Sequence, residues 1–360
     1  MLHSRKTKSS SVNNVVGDPH WFPVDLDRAR QELLFVRVGR STLASLPFLT
    51  SDVWDVSQLD YCRIRLAEIF TLRGDTPSTE ANFVWHTAFC CSTLLSRVLD
   101  SCGHNLSLRE PAVLTRLADL KREGVFSRNA ANARVPAIVL NLLGRTFPNE
   151  ANVTIKASNA TNALLPEVTH ATSGKMLFLY SDCRSFLAAL IRRGQEGMTY
   201  ARRLFAGILG DGNAQAEWPI DKLFQMSDLQ IGALAWHMQI AQFNRVWPLL
   251  GPSRAVSLDC DAFLLSPAST LMRLDAFFGL GLGLDHAASV IRGQMLRRNA
   301  KDSAKPSGAW RRRQEQRSIG HKLSREIDGV VAWSYDVCPA TPRDLPVPNP
   351  VLPIEKFYRP

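Results

Sequence analysis

The sequence predicts a three-layer α/β domain in which a central parallel sheet is flanked by helices. The chain has 360 residues, of which 45% are hydrophobic and 21% charged, so it can bury a sizeable core. From residue 82 onward, short apolar stretches alternate with helical patterns, which is typical of strand–helix–strand units. Residues 175–180 (KMLFLY) are strongly apolar, as expected of a central strand buried on both faces.

Strands and helices are predicted in alternation along this region. The strands are expected at 82–86, 104–108, 152–157, 175–180 and 254–259. Helices are expected at 93–102, from Pro111 onward, and at 131–145, 183–194, 227–250 and 268–279. Pro111 suits a helix start because its missing N–H is harmless there. Arg192, Arg193 and Gly194 suit a helix end, where cations and then glycine are favoured.

Four regions follow from these patterns. Residues 1–17 are expected to be a disordered basic tail. Residues 18–80 are expected to form an N-terminal layer packed on the main domain, which spans 81–305. Residues 306–360 are expected to form a basic helix and a proline-rich C-terminal arm.

Charge and cysteine content restrict the partners and the compartment. The net charge of +10 suits an anionic partner such as a nucleotide, although a solvated basic surface has the same composition. The seven cysteines are scattered without a CxxC pair, so neither a zinc site nor a disulfide scaffold is indicated, and no metal is expected. Free thiols indicate a reducing cytoplasm. No secretory signal or membrane span is expected, because no long uninterrupted apolar stretch occurs.

The segment FVWHTAFCCSTLLSRVLD, residues 83–100, carries the strongest functional signal. An apolar strand runs into small residues, then Ser92 and Thr93, then a helix, so backbone N–H groups and the positive helix end converge on one anion site. The Walker sequence GxxxxGK[ST] is absent, which disfavours an ATPase or a kinase. Two other interpretations remain: an ordinary turn with small packing residues, and a redox or nucleophilic role for Cys90 or Cys91 at a helix N-terminus.

This segment resembles the 5′-phosphosulfate loop of sulfotransferases, in which a basic residue usually precedes Ser-Gly-Thr-Thr and an apolar pair. Cys90, Cys91, Ser92 and Thr93 occupy the four small positions. Phe89 stands where the family usually has Lys or Arg. Cys91 stands where the family has glycine, the residue that adopts a positive φ at the lowest energetic cost. The resemblance covers about residues 82–302 and implies a P-loop-type fold with 3′-phosphoadenylyl sulfate as the donor.

Two further matches imply catalytic residues. Glu110 ends the second strand where sulfotransferases often carry an acidic residue, and it would take the proton of the acceptor. Lys156 ends the third strand and would offset negative charge on the bridging oxygen as the sulfonyl group leaves. The alternatives are an acidic residue in the first turn of a helix for Glu110 and a surface lysine for Lys156.

The remaining matches imply contacts with the donor phosphates. Ser181 and Ala189 stand where the family usually has Arg and Ser, and Arg184 is expected to substitute for the lost arginine. A basic loop that closes over the nucleotide supplies three more candidates: Arg297, Arg298 and Lys301. The run Arg311–Arg313 is expected to be an exposed helix face or an anion-attracting patch.

The resemblance implies transfer of a sulfonyl group from 3′-phosphoadenylyl sulfate to a hydroxyl or amine on a small-molecule, glycan or peptide acceptor. The substituted loop positions also admit a degenerate, inactive P-loop fold that acts as a nucleotide-binding or regulatory module. Nucleic acid is disfavoured as a partner because Trp310 is the only aromatic residue interleaved with the basic stretches.

Overall fold

The computed structural model describes residues 11–73, 79–101, 104–211, 219–283, 285, 288–289, 293, 300 and 308–352. The chain divides into two compact units. Unit 1 comprises residues 1–84 and 96–175, and unit 2 comprises residues 85–95 and 176–360.

The N-terminal part of unit 1 contains an antiparallel sheet of three strands: β1 (Trp21–Asp27), β2 (Glu32–Arg37) and β3 (Tyr61–Arg65), with β2 in the middle. The register shifts beside Pro23, which cannot donate to the ladder. Helices α1 (Val12–Gly17), α2 (Arg40–Ser45) and α3 (Leu66–Arg73) belong to the same region. Residues 12–17, which we expected within the tail, are helical because Ser11 caps them and Val15 and Val16 are buried.

The central sheet has five parallel strands and confirms the predicted α/β fold. Its order is β5-β6-β4-β7-β8. The strands lie within two residues of their predicted bounds: β4 (Asn82–His86), β5 (Asn105–Arg109), β6 (Asn152–Lys156), β7 (Met176–Tyr180) and β8 (Ala255–Asp259). The three strands β4, β5 and β7 are buried at every position, because helices cover a parallel sheet on both faces.

The helices that follow these strands carry the apolar faces that cover them. Helix α4 (Ser92–Asp100) follows β4, and α8 (Cys183–Arg192) follows β7. The described helices between them and up to residue 278 are α5 (Ala112–Arg122), α6 (Ala130–Leu143), α7 (Leu165–Ala171), α9 (Gln195–Gly210), α10 (Ile220–Gln225), α11 (Asp228–Arg254), α12 (Cys260–Leu265) and α13 (Pro267–Phe278). None of the helices in the described ranges is long and apolar enough to cross a membrane.

The C-terminal residues of unit 2 form two helices and an extended arm. The helices are α14 (Ala309–Lys322) and α15 (Ser324–Val337). Within the arm, Asn349 accepts a hydrogen bond from the Ser257 N–H at 2.9 Å, and the Val351 N–H donates to the Ser257 carbonyl at 2.8 Å. The arm therefore continues the hydrogen bonding of the sheet beyond β8.

The strand order reverses direction between β4 and β7. From β4 the chain passes to β5 at one edge of the sheet, whereas from β7 it passes to β8 at the other edge. The Thr87 N–H donates to the Leu179 carbonyl at 3.2 Å, so the carboxyl ends of the two strands lie side by side. Ligands of open α/β sheets bind at such a reversal, and the turn after β4 is located there.

Candidate anion-binding site

The turn between β4 and α4 has an unusual backbone. Ala88, Phe89 and Cys91 have positive φ angles of 71°, 54° and 61°. Residues other than glycine seldom occupy this region, and each such residue costs about 1–3 kcal/mol. Cys91 thus adopts a conformation that glycine reaches at lower cost, in spite of its side chain. Strained conformations of this kind concentrate at functional sites.

This backbone leaves several amides of the turn without an internal acceptor. The Leu95 N–H donates to the Cys91 carbonyl at 3.0 Å and begins the α4 hydrogen bonds. Within the described part of the chain, the N–H groups of Phe89, Cys91, Ser92 and Thr93 donate to no protein acceptor. These amides lie at the positive end of a nine-residue helix, which favours an anion.

A cavity of about 150 Å³ opens on this turn, and all of its lining residues belong to unit 2. The turn contributes Phe89, Cys91, Ser92 and Thr93 to its wall. Four arginines also line this basic cavity, and no carboxylate does, among the residues that the structure describes: Arg192, Arg193, Arg312 and Arg313.

Arg313 is the most deeply buried of the four, with 3% exposure. Its Nε donates to Asp261, and its Nη1 donates to Gln316 Oε1 at 3.2 Å. Its Nη2 is buried without a hydrogen-bond acceptor and lies 3.8 Å from Asp182 Oδ2. Burial alone would lower the pKa of Arg313, but the hydrogen bond to Asp261 and the nearby negative charge raise it, so the guanidinium stays charged. A buried donor that lacks an acceptor, on a residue lining the cavity, is suited to an oxyanion.

Arg193 places a cation beside Phe89 of the turn. The Phe89 ring packs against Phe186 at 5.5 Å and Tyr200 at 5.3 Å between centroids. The Arg193 guanidinium lies 5.8 Å from the Phe89 centroid. The end of α8 therefore places a positive charge next to residue 89.

All four of these arginines were interpreted otherwise from the sequence. Arg192 and Arg193 were expected only to stabilise a helix end. The run Arg311–Arg313 was expected to be an exposed helix face or an anion-attracting patch. An exposed face is wrong for Arg313, which is buried, and Arg312 and Arg313 both line the basic cavity. A charge run alone does not reveal which of its members turns inward, since α14 buries Arg313 while the side chain of Arg311 is 67% exposed.

Other residues that were predicted to contact the sulfonyl donor do not line the cavity or lie outside the described residues. Cys90 is buried, and its thiol donates to the Leu179 carbonyl at 3.5 Å instead of lining the cavity. Ser181 is buried, and its carbonyl accepts from Trp236 Nε1 at 2.8 Å. Arg184 binds Asp328 at 2.7 Å and the Gly320 carbonyl at 2.9 Å. Neither Ser181 nor Arg184 lines the cavity. The remaining candidates lie outside the described residues: Arg297, Arg298 and Lys301.

The structure brings the two proposed catalytic residues, both in unit 1, into one ion pair. Lys156 Nζ donates to Glu110 Oε1, and the Glu110 N–H donates to the Lys156 carbonyl at 2.7 Å. The ammonium also lies 5.4 Å from the centroid of Phe48. Lys156 is fully buried, so its interpretation as a surface lysine is wrong. Glu110 keeps 19% of its side chain exposed and has a φ of 55°, a second strained position at a strand end.

The fold and this site define an α/β protein with a basic cavity at the switch point of its sheet. Searches against known protein families and against curated proteins find no match. Among solved structures, the chain is similar to a "Sulfotransferase Domain from the Curacin Biosynthetic Pathway". The TM-score is 0.41 and the sequence identity 14%, over 69% of this chain and 98% of that one.

Proposed function

We propose that the basic cavity binds the phosphosulfate end of 3′-phosphoadenylyl sulfate, and that the protein transfers the sulfonyl group to a hydroxyl or amine acceptor. The observation that carries this proposal is that one cavity is lined both by the turn residues Phe89, Cys91, Ser92 and Thr93, whose amides donate to no protein acceptor, and by Arg313, whose Nη2 has no hydrogen-bond acceptor. The sequence matches along residues 82–302 support the same donor.

The cavity is sized for the charged end of the donor only. Its volume of about 150 Å³ is below the roughly 300–1,000 Å³ of pockets that enclose a drug-sized ligand. We therefore assign the phosphosulfate group to the cavity and leave the nucleoside outside it. Fixed amides and guanidinium groups would stabilise the charge that develops on the sulfonyl oxygens during transfer.

Glu110 is proposed as the base and Lys156 as the group that offsets leaving-group charge. The partly exposed carboxylate of Glu110 can accept a proton from solution or from an acceptor hydroxyl. The ion pair with Lys156 couples the two proposed roles. When the Glu110 carboxylate takes a proton, its attraction for the Lys156 ammonium weakens, and the ammonium becomes available to stabilise a developing oxyanion.

Calorimetry with adenosine 3′,5′-bisphosphate tests the donor site. Arg193→Ala is the informative variant, because its side chain is 40% exposed and its removal leaves no buried carboxylate unpaired. Losing one charge-assisted hydrogen bond of about 1.5–3 kcal/mol should weaken binding by about 10- to 100-fold. Arg343→Ala is the matched control, because that arginine is exposed and lies outside the cavity lining. Absence of binding by the wild type at millimolar ligand, or equal losses in both variants, would contradict the proposal.

Donor consumption with a panel of hydroxyl and amine acceptors tests the chemistry. Glu110→Gln and Glu110→Asp should abolish or slow transfer while the bisphosphate still binds. Glu167→Gln is the control, because Glu167 also pairs with a lysine, Lys121, at 2.7 Å. Equal loss of transfer in the control would show that the effect is structural.

A non-catalytic nucleotide-binding module is the second candidate. It is favoured by Phe89 at the place of a basic residue and by the direct pairing of Lys156 with Glu110. This candidate would be supported if the wild type binds the bisphosphate and Arg193→Ala weakens that binding, while no acceptor in the panel receives a sulfonyl group.

A further inference from the structure

The wall of the basic cavity is rich in hydrogen-bond donors and poor in acceptors. Four arginines line it, and a guanidinium has donors but no acceptor atom. Among the residues that the structure describes, no carboxylate lines it. The hydroxyls of Ser92 and Thr93 can donate as well as accept, and a neutral hydroxyl is a weaker acceptor than a carboxylate. One further polar residue of the wall, Gln316, carries both an acceptor and a donor, so its orientation decides what the wall offers at that point.

The amide of Gln316 is held in one orientation. Gln316 lies on α14, three residues after Arg313, and only 6% of it is exposed. Arg313 Nη1 donates to Gln316 Oε1 at 3.2 Å. Because the guanidinium can only donate, the amide atom that faces it must be the oxygen. The NH2 group of Gln316 donates to no acceptor within the described part of the chain, so it is the end of the side chain that remains for a ligand.

A wall of donors distinguishes ionised oxyanions from protonated ones. The terminal oxygens of a sulfate ester carry no proton in neutral or mildly acidic water, and all of them accept hydrogen bonds. A phosphate monoester takes up a proton with a pKa of about 6, and its protonated oxygen is a donor. Where that O–H faces an N–H, the hydrogen bond is lost and a buried donor of the protein stays unpaired. Sites that match the hydrogen-bonding groups of one ligand reject analogues in this way.

We propose that the basic cavity selects fully ionised sulfonyl and sulfate groups over protonated phosphates, and that Gln316 is the residue that sets this selectivity. The inference rests on the proposed function and names the chemical form of the anion that the site takes. It also has a consequence for turnover. Transfer of the sulfonyl group converts the phosphosulfate of the donor to a phosphate monoester, which can take up a proton and is then held less firmly than the donor.

Calorimetry with methyl sulfate and methyl phosphate at pH 5 tests the selectivity. At this pH both anions carry mainly one negative charge and have nearly the same shape, and they differ by the proton on the phosphate. Both ligands are measured at one pH, so the protein is in the same state for both. The wild type should bind methyl sulfate on the order of tenfold more tightly, because one charge-assisted hydrogen bond separates the two complexes. Equal affinities, or binding of neither anion, would overturn the proposal.

Gln316→Glu tests the role of the amide with almost no change in shape. The new carboxylate accepts the phosphate O–H and repels methyl sulfate, so the preference should reverse in favour of methyl phosphate. Gln314→Glu is the matched control, because Gln314 is exposed on the same helix and does not line the cavity. That variant should keep the preference of the wild type. If Gln316→Glu does not fold, Gln316→Met removes the donor without adding charge and should reduce the preference for methyl sulfate. A selectivity that is unchanged in a folded Gln316 variant, or changed equally in the control, would refute the assignment.

The selectivity and the proposed function can fail separately. If the wild type binds adenosine 3′,5′-bisphosphate and transfers a sulfonyl group but does not distinguish the two methyl esters, the selectivity is refuted and the proposed function stands. If the wild type prefers methyl sulfate but neither binds the bisphosphate nor transfers a sulfonyl group, the selectivity stands and the proposed function is refuted.

Discussion

Asp259 provides a test of the electrostatics at the carboxyl end of β8. Its carboxylate caps α12, accepting from the Asp261 N–H at 2.7 Å and the Ala262 N–H at 3.1 Å. Burial, together with the charges of Asp182 and Asp261, raises the pKa of Asp259 from 3.8 to about 7. A carboxylate that is needed as a cap is thus held where its charge is unfavourable.

The sign of the effect on stability follows from proton linkage. Between pH 3.8 and about 7 the folded chain holds a proton on Asp259 that the unfolded chain has released. The free energy of unfolding therefore falls as pH rises through this window, and the loss is complete above about pH 7. At about 1.4 kcal/mol per pH unit, the full loss is about 4 kcal/mol as an upper limit.

Asp259→Asn should recover this stability. Asparagine caps helices as well as aspartate does and carries no charge. We expect the variant to be more stable than the wild type at pH 8, by up to about 4 kcal/mol, and equal to it near pH 4. Urea unfolding at several pH values between 4 and 8 measures the difference, and Asp336→Asn, an exposed carboxylate, is the control. A difference that stays constant with pH, or a variant destabilised at pH 8, would refute the reasoning.

Three further changes have defined outcomes. Burial lowers the pKa of His237 to about 4, so the free energy of unfolding falls as pH falls from 6.5 toward 4. His237→Gln should abolish up to about 3 kcal/mol of that loss, as measured by urea unfolding. A pH dependence of stability that is the same in the variant and the wild type would disprove this prediction. Glu110→Gln leaves the buried Lys156 without its counter-charge and should lower the free energy of unfolding by about 3–5 kcal/mol at pH 7. A melting temperature that is unchanged in the variant would show that the ion pair is not formed. Gly174→Ala directs a Cβ at the Ala81 carbonyl oxygen and should lower the free energy of unfolding by about 1–3 kcal/mol. In the control Gly39→Ala, the new Cβ meets no atom within 4 Å, so stability should not change. Equal losses of stability in the two variants would contradict the packing around Gly174.

The strands of the central sheet could be predicted because their signal is local. A strand such as 176–180 is apolar at every position, and the helix after it begins with a capping aspartate at residue 182. The three-stranded sheet near the N-terminus was missed. Its strands pair antiparallel across loops, and a short apolar run such as 32–37 does not by itself distinguish a strand from a helix.

The candidate site could be predicted only in part. The 88–93 turn was found because small residues and hydroxyls follow an apolar strand directly. The arginines of the cavity were not predicted as part of this site, because they lie about 100 and 220 residues farther along the chain, at α8 and α14. Arg184 illustrates the opposite outcome, because its proximity in sequence to Ser181 made it a candidate, while its guanidinium binds Asp328 and Gly320.

The sequence by itself determined the α/β class, the positions of the central strands and the turn where amides converge, because each depends on side-chain patterns within a few residues. The tertiary structure alone decided which cations face that turn and that Lys156 pairs with Glu110. The physical reason is that contacts between charges depend on distance in space, and strand order brings together residues whose separation in sequence carries no record of it.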